Sequence, residues 1–444
     1  MIAILLQAGL LATIAVGAGL LVADPSRFVA LRVGRLAFAA LAGFFALAAV
    51  LSCIAVFGAP RWAVLALGYA MAAAGFVRES LRAGAARSRW RRELAAIAPV
   101  ALLASTGAIS ALSAPTISHD ATVIWYPKTV EAADDVPVDP EAFATNGGRH
   151  AHAEYPRGLA WLASIADPTG AGDPRLVRVV ALAVVLAGVL SIAGWFAKRD
   201  DLAGGVLASS LVLLIPEMAA QCHVGLADAP LGMAVVLVGL ALTQMRDDGR
   251  GLLLAAIGGA GGAATKQEGA VLWLTAAAVV ATRWIRPGAS SRGERALATA
   301  VLLTVMPWWL GCWKGSPEER AQVSLFLADP DFIAVRFAEE VKKLALTLRD
   351  PNLIEPSAGF DPEPPLGAAW FAAVCIPLAR FARRKPVVAA PAFVLLSVQL
   401  VFFLVTPHPL SWHLRTTVPR LPLQWLPLLV VAVVASARPA PRAT

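Results

Sequence analysis

Apolar residues along this chain gather into runs of about 16–24 positions, the length that crosses a hydrocarbon core about 30 Å thick. Thirteen such runs predict membrane-spanning helices at 2–23, 33–57, 61–78, 94–114, 176–197, 202–220, 229–246, 251–265, 270–285, 296–313, 366–382, 386–406 and 421–437. The run at 251–265 is short and rich in glycine, which suits a tilted or broken helix packed inside the bundle. The first run has no Lys or Arg before it, unlike a cleaved signal peptide. The fold class expected is an all-α polytopic membrane protein whose outer-face loops bear surface-lying helices.

Composition agrees with the pattern. The 444 residues are 58% hydrophobic and 15% charged, against about 25% charged in a soluble protein. Charge then orients the bundle. Alternating connections at 24–35, 78–93, 198–201, 246–250, 283–295, 380–385 and 438–442 hold 23 Lys and Arg but only 8 Asp and Glu. The remaining chain holds 15 basic and 22 acidic residues. Positive loops stay cytoplasmic, so Arg78–Glu93 is expected inside and Pro115–Arg175 outside. The net charge of +8 is a topology signal; no basic stripe interleaved with aromatics points to nucleic acid. The four cysteines form no Cys-x-x-Cys, which argues against a zinc or redox framework. Cys222 and Cys312 both fall near the outer face, where a disulfide is chemically allowed.

Under this topology the unusual polar residues collect on one side, including all six histidines. Five outer segments carry them. The loop 115–175 opens with His119 and Asp120, continues through Trp125-Tyr126-Pro127-Lys128, and closes with His150, His152, Glu154, Tyr155, Pro156 and Arg157. A carboxylate just beyond a hydrophobic helix, in a loop far longer than a connection needs, is a candidate acid or base. His150, His152 and Glu154 alternate as three ligands on one face of a strand would, so a divalent metal stands beside plain loop polarity as a reading. The second segment, 217–228, ends in Asp228 before Ala-Pro, which also fits a helix N-cap. The third, Thr265–Gly269, sets Lys266 and Glu268 in an apolar region, where ionisable groups are costly unless satisfied; an interfacial pair closing two helix ends is the plainer reading. The fourth, 314–365, predicts an amphipathic surface helix with Phe337, Val341, Leu344 and Leu348 on one face. The fifth, 407–420, holds Trp412, His413, Arg415 and Arg420, an anion-binding strip or a set of interfacial anchors.

The order of these features resembles the membrane-embedded GT-C glycosyltransferases. Within them the chain looks most like the bacterial relatives of dolichyl-phosphate-mannose-protein mannosyltransferases and the Rgt-type lipopolysaccharide-core transferases. The similarity covers roughly residues 94–430. It divides the chain into additional N-terminal helices at 1–93, a GT-C-like core at 94–320, and a C-terminal part at 321–444. It implies a polyprenyl-phosphate sugar donor, a glycan, lipid or protein acceptor, and inversion at the anomeric carbon. It places the catalytic carboxylate at Asp120, beside His119 where many relatives have a second acid.

The chemistry asks for a base near the acceptor hydroxyl and fixed cations near the leaving phosphate. Lys266, Arg415, Arg420 and His413 are the candidates for the phosphate, and Asp228, Glu268, His152, Glu154 and Tyr155 for holding sugar hydroxyls or orienting the base. No Gly-rich phosphate loop or Asp-x-Asp motif suits a soluble nucleotide donor. A transporter or flippase of lipid-linked substrates, and an O-antigen ligase or polymerase using the late outer loop, are the competing expectations. The composition suits a bacterial inner membrane with the site on the periplasmic face.

Overall fold

The computed structural model describes residues 2–80, 125–133, 156–167, 175–215, 227–248, 251–286, 290–311, 386–405 and 421–437, with isolated positions between them. Among these residues all regular structure is helical. In chain order the helices are α1 (Ile2–Val22), α2 (Arg32–Val56), α3 (Arg61–Ser80), α4 (Tyr126–Ala133), α5 (Gly158–Ala166), α6 (Arg175–Ala197) and α7 (Leu202–Leu213). They continue with α8 (Asp228–Asp248), α9 (Leu252–Thr265), α10 (Gly269–Ile285), α11 (Arg292–Leu303), α12 (Met306–Gly311), α13 (Pro386–Val405) and α14 (Pro422–Ala437). Stretches in α2, α6 and α8 are long and apolar enough to cross a membrane, and shorter apolar helices surround them. The outward faces stay apolar as well: Trp62, Leu274, Ile285 and Leu310 are mostly exposed. Such faces are stable against hydrocarbon and unstable against water.

Most predicted spans coincide with helices to within a residue or two. Two differ, and proline explains both. The run 202–220 gives a helix only to Leu213, because a proline at 216 has no N–H to continue the helix and a helical path through it would drive its ring into the carbonyl four residues back. The run 296–313 is interrupted after Leu303 and resumes at Met306, on either side of the turn before Pro307. The glycine-rich run is one unbroken helix, α9, buried along nearly its whole length. Apart from isolated positions, spans 94–114 and 366–382 and the amphipathic segment 337–348 lie outside the described residues, as does the Cys222–Cys312 pair.

Helix α2 is central: it packs against α1, α5, α6 and α9. Close approach in the N-terminal unit depends on missing side chains. A Cβ at Gly19 would strike the carbonyl of Ala39, one at Gly43 that of Ala15, and one at Gly75 that of Gly17. The two ends of the bundle can be told apart by contacts. At the end carrying the basic connections, Ala30 N–H donates to the Gly194 carbonyl at 3.2 Å, and Arg78 binds the last carbonyls of α1. At the opposite end, Gln7 at the start of α1 donates to Asp167 at 3.2 Å, and Arg61 at the start of α3 donates to Ser164 at 3.3 Å and to the Asp167 carbonyl. Loops that the charge pattern assigns to one side therefore do meet at one end.

The loop 115–175 departs from the expectation of surface-lying helices. Its helix α5 is buried at every one of its nine positions, wedged against α2, α4 and α6. The sequence Gly-Leu-Ala-Trp-Leu-Ala-Ser-Ile-Ala explains this, since it offers no polar face to water.

Candidate functional site

The chain buries six charged side chains among the described residues: Lys128, Arg157, Asp167, Arg178, Asp228 and Lys266. All six lie at the polar-loop end, none in the basic connections. Charge inside an apolar bundle is costly and is retained where it is paired or used.

One joint between helices and side chains from three further helices build one cluster. The α9–α10 joint turns through Lys266, Gln267 and Glu268, made tight by Gly269, where a Cβ would overlap the carbonyl of Gly262. The turn carries Lys266 inward. Its ammonium lies 2.6 Å from Asp228 Oδ1 in the first turn of α8 and 2.9 Å from Glu268 Oε1. Lys266 and Asp228 are almost fully enclosed, with side-chain exposures of 4% and 2%, while Glu268 is 28% exposed.

Asp228 is also held from the C-terminal helices. Gln424 Nε2 donates to the same Oδ1 at 2.6 Å. Its Oε1 accepts from Gln399 Nε2 at 2.5 Å, and Gln399 Oε1 accepts from the Trp425 indole at 3.1 Å. Only the NH2 side of Gln424 can face a carboxylate, so the anion sets the direction of the whole relay. Hydrogen bonds to ionised groups are the strong kind, and here they tie α8, α9, α13 and α14 together.

The loop forms the adjoining wall. Arg178, in the first turn of α6, donates through Nε to Tyr126 Oη at 2.6 Å and lies over its ring. Lys128 is buried against Trp125, 5.5 Å from the ring centre. Ser164 of α5 donates to the Ala132 carbonyl of α4 at 3.1 Å. Arg157 precedes Gly158, and Gly158 seats this wall on the cluster: a Cβ there would overlap the Ala264 carbonyl and come within 3.2 Å of Ala48 Cβ. Ala48 stands eight residues before the end of α2 at Val56, about 12 Å of helix, so the junction is recessed below the rim.

Of the residues singled out from sequence, the structure brings together Asp228, Lys266 and Glu268. His119, Asp120, His150, His152, Glu154, Tyr155, His413, Arg415 and Arg420 lie outside the described residues. No group of three metal-binding side chains occurs among the described residues. Sequence reading did not single out Gln399 and Gln424 or the loop cations Lys128, Arg157 and Arg178 as site residues. A lone amide in an apolar run, and a cation at the edge of one, were the available signals. Compared with protein-family models, curated proteins and solved structures, the chain matches none.

Proposed function

We propose that this protein is an integral membrane glycosyltransferase that moves a sugar from a polyprenyl-phosphate donor to an acceptor hydroxyl. What carries the reading is the burial of charge at a single end of an apolar bundle, where a polar loop inserts its own helix beside an ionic cluster. A lipid phosphate and a hydroxyl-bearing acceptor meet at such a boundary.

In this reading the acceptor oxygen attacks the anomeric carbon, and the bond from that carbon to the phosphate oxygen breaks. The acceptor proton passes to the carboxylate of Asp120, with His119 beside it. The departing polyprenyl phosphate takes the electron pair, and its charge is met by Arg415, Arg420 and His413. Asp228 and Glu268, with His152, Glu154 and Tyr155 of the loop, hold sugar hydroxyls or orient the base. The site faces the periplasmic side of a bacterial inner membrane, following the charge of the connections. A divalent metal at His150, His152 and Glu154 is an optional addition to this scheme and no step depends on it.

The test is Asp120→Asn, with membrane insertion verified and transfer from a polyprenyl-phosphate sugar assayed in membranes. Loss of the base lowers transfer by about 100-fold or more; wild-type transfer in the variant overturns the mechanism. The enclosed Asp228–Lys266 pair favours one other reading, a transporter of lipid-linked substrate, since transporters bury ion pairs between broken helices. Substrate uptake into proteoliposomes without glycosyl transfer would select it.

A further inference from the structure

The geometry assigns Lys266 as the internal counter-ion that fixes Asp228 and Glu268 in place, leaving Glu268 to receive a hydroxyl of the bound substrate. This rests on the glycosyl-transfer reading for the identity of the substrate, and on the ion cluster alone for the role of Lys266.

An ammonium has three donors. Two of those of Lys266 go to carboxylates, at 2.6 Å and 2.9 Å, in packing that leaves its side chain 4% exposed. The triad of one cation and two carboxylates carries a net charge of −1 when ionised. A phosphate reaching this lysine would stand beside two carboxylates already bound to its ammonium, which opposes phosphate contact there. The neighbouring Gln424 amide donates to Asp228 as well, which adds a second fixed donor to the same oxygen.

Glu268 differs from Asp228 in where its second oxygen stands. Oε1 takes the Lys266 ammonium, while Oε2 is buried and accepts no hydrogen bond from the described residues. Its side chain is the most open of the three. An enclosed carboxylate oxygen without a donor is an unsatisfied acceptor. A hydroxyl, the commonest group on a sugar or polyol, is the donor that satisfies it once the partly exposed side chain turns toward substrate. Lys266 is thus a positioning residue, acting through the carboxylates rather than on the leaving group.

A charge cycle tests this. Lys266→Met leaves two enclosed carboxylates without their cation, Asp228→Asn leaves a neutral ion pair, and the double variant restores the wild-type net charge of −1. The expected order of thermal unfolding midpoints in detergent is lowest for Lys266→Met by several degrees, with the double variant recovering much of the loss. Additive or worse behaviour in the double variant overturns the counter-ion role. Lys266→Arg, which keeps the charge, provides a folded variant if Lys266→Met does not insert, and its midpoint must stay above that of any Lys266 variant lacking charge.

The kinetic arm uses a polyprenyl-phosphate monosaccharide. Loss of a charged contact to phosphate raises the donor KM by about tenfold or more. We expect Lys266 variants instead to lower kcat with the donor KM nearly constant, and Glu268→Gln to lower binding of a hydroxyl-bearing acceptor. A tenfold rise in donor KM on Lys266 substitution overturns the assignment. If wild-type protein transfers nothing from this donor, the functional reading fails, while the unfolding cycle still decides the role of Lys266.

Discussion

The N-terminal helices and the polar-loop end solve the same problem in opposite ways. Hydrocarbon supplies no hydrophobic drive to bring helices together, so each contact must come from packing or from internal polar pairing. Between α1, α2 and α3 the solution is absence: Gly19, Gly43 and Gly75 let backbone lie on backbone. Between α8, the α9–α10 joint, α13 and α14 the solution is a chain of charge and amide from Trp425 to Glu268. The first interface is sensitive to volume and indifferent to charge. The second is sensitive to charge and to single donors, and it stands where chemistry is expected.

The comparison is broken most severely at the glycines. Gly43→Val forces a branched side chain into the Ala15 backbone, which cannot swing aside as a flexible side chain would. Overpacking costs about 1–3 kcal/mol in ordinary cores, and this site belongs at or above the upper end. The outcome expected is loss of monodisperse protein on size exclusion in detergent. Normal yield would show that the seam repacks.

Next in size is Gln424→Leu. It keeps the volume and removes one donor from Asp228 and the acceptor for Gln399. Stranding such buried groups costs about 1–3 kcal/mol each, so the unfolding midpoint falls while the protein still inserts. Pairing it with Gln399→Leu removes the stranded Gln399 amide but withdraws the acceptor of the Trp425 indole. The double variant therefore loses less than the sum of the two single variants without returning to the wild-type midpoint. Strictly additive losses would show that the two amides act independently.

The smallest effect is expected at the surface of the same end. Arg175 hydrogen-bonds Asp173 just before α6 and holds its carboxyl below the usual carboxylate range. A depressed value in the folded state means stability that is complete at neutral pH and lost as pH falls below about 4. Arg175 is half-exposed, so solvent screens the pair. Asp173→Asn should therefore change the unfolding midpoint by no more than about a degree at pH 7. A larger shift would move this pair from the surface into the working cluster.

How much of this could be seen in the sequence depends on range. Run length located α1, α2, α6, α8, α10, α13 and α14 because a span is a local property of about twenty residues. It passed over Pro307 and Pro216 because counting apolar residues does not register a missing N–H. Asp228, Lys266 and Glu268 stood out because charge is rare in apolar surroundings. Gln424 and Gln399 did not, since one amide in sixteen or twenty apolar residues barely changes a run. Helix α5 went unseen within a polar loop because its nine residues, all but Ser164 apolar, are too short to read as a span.

The sequence by itself determined the helical class and which connections share a side, because hydrocarbon thickness and loop charge act residue by residue. Only the tertiary structure decided that Lys266 spends its ammonium on two carboxylates, and that Gln424 reaches Asp228 across 196 positions. It likewise decided that Gly158 docks the polar loop on the end of α9. Those choices depend on which helix ends meet, and helices of similar apolar surface can be arranged in many ways until buried donors and acceptors must find each other.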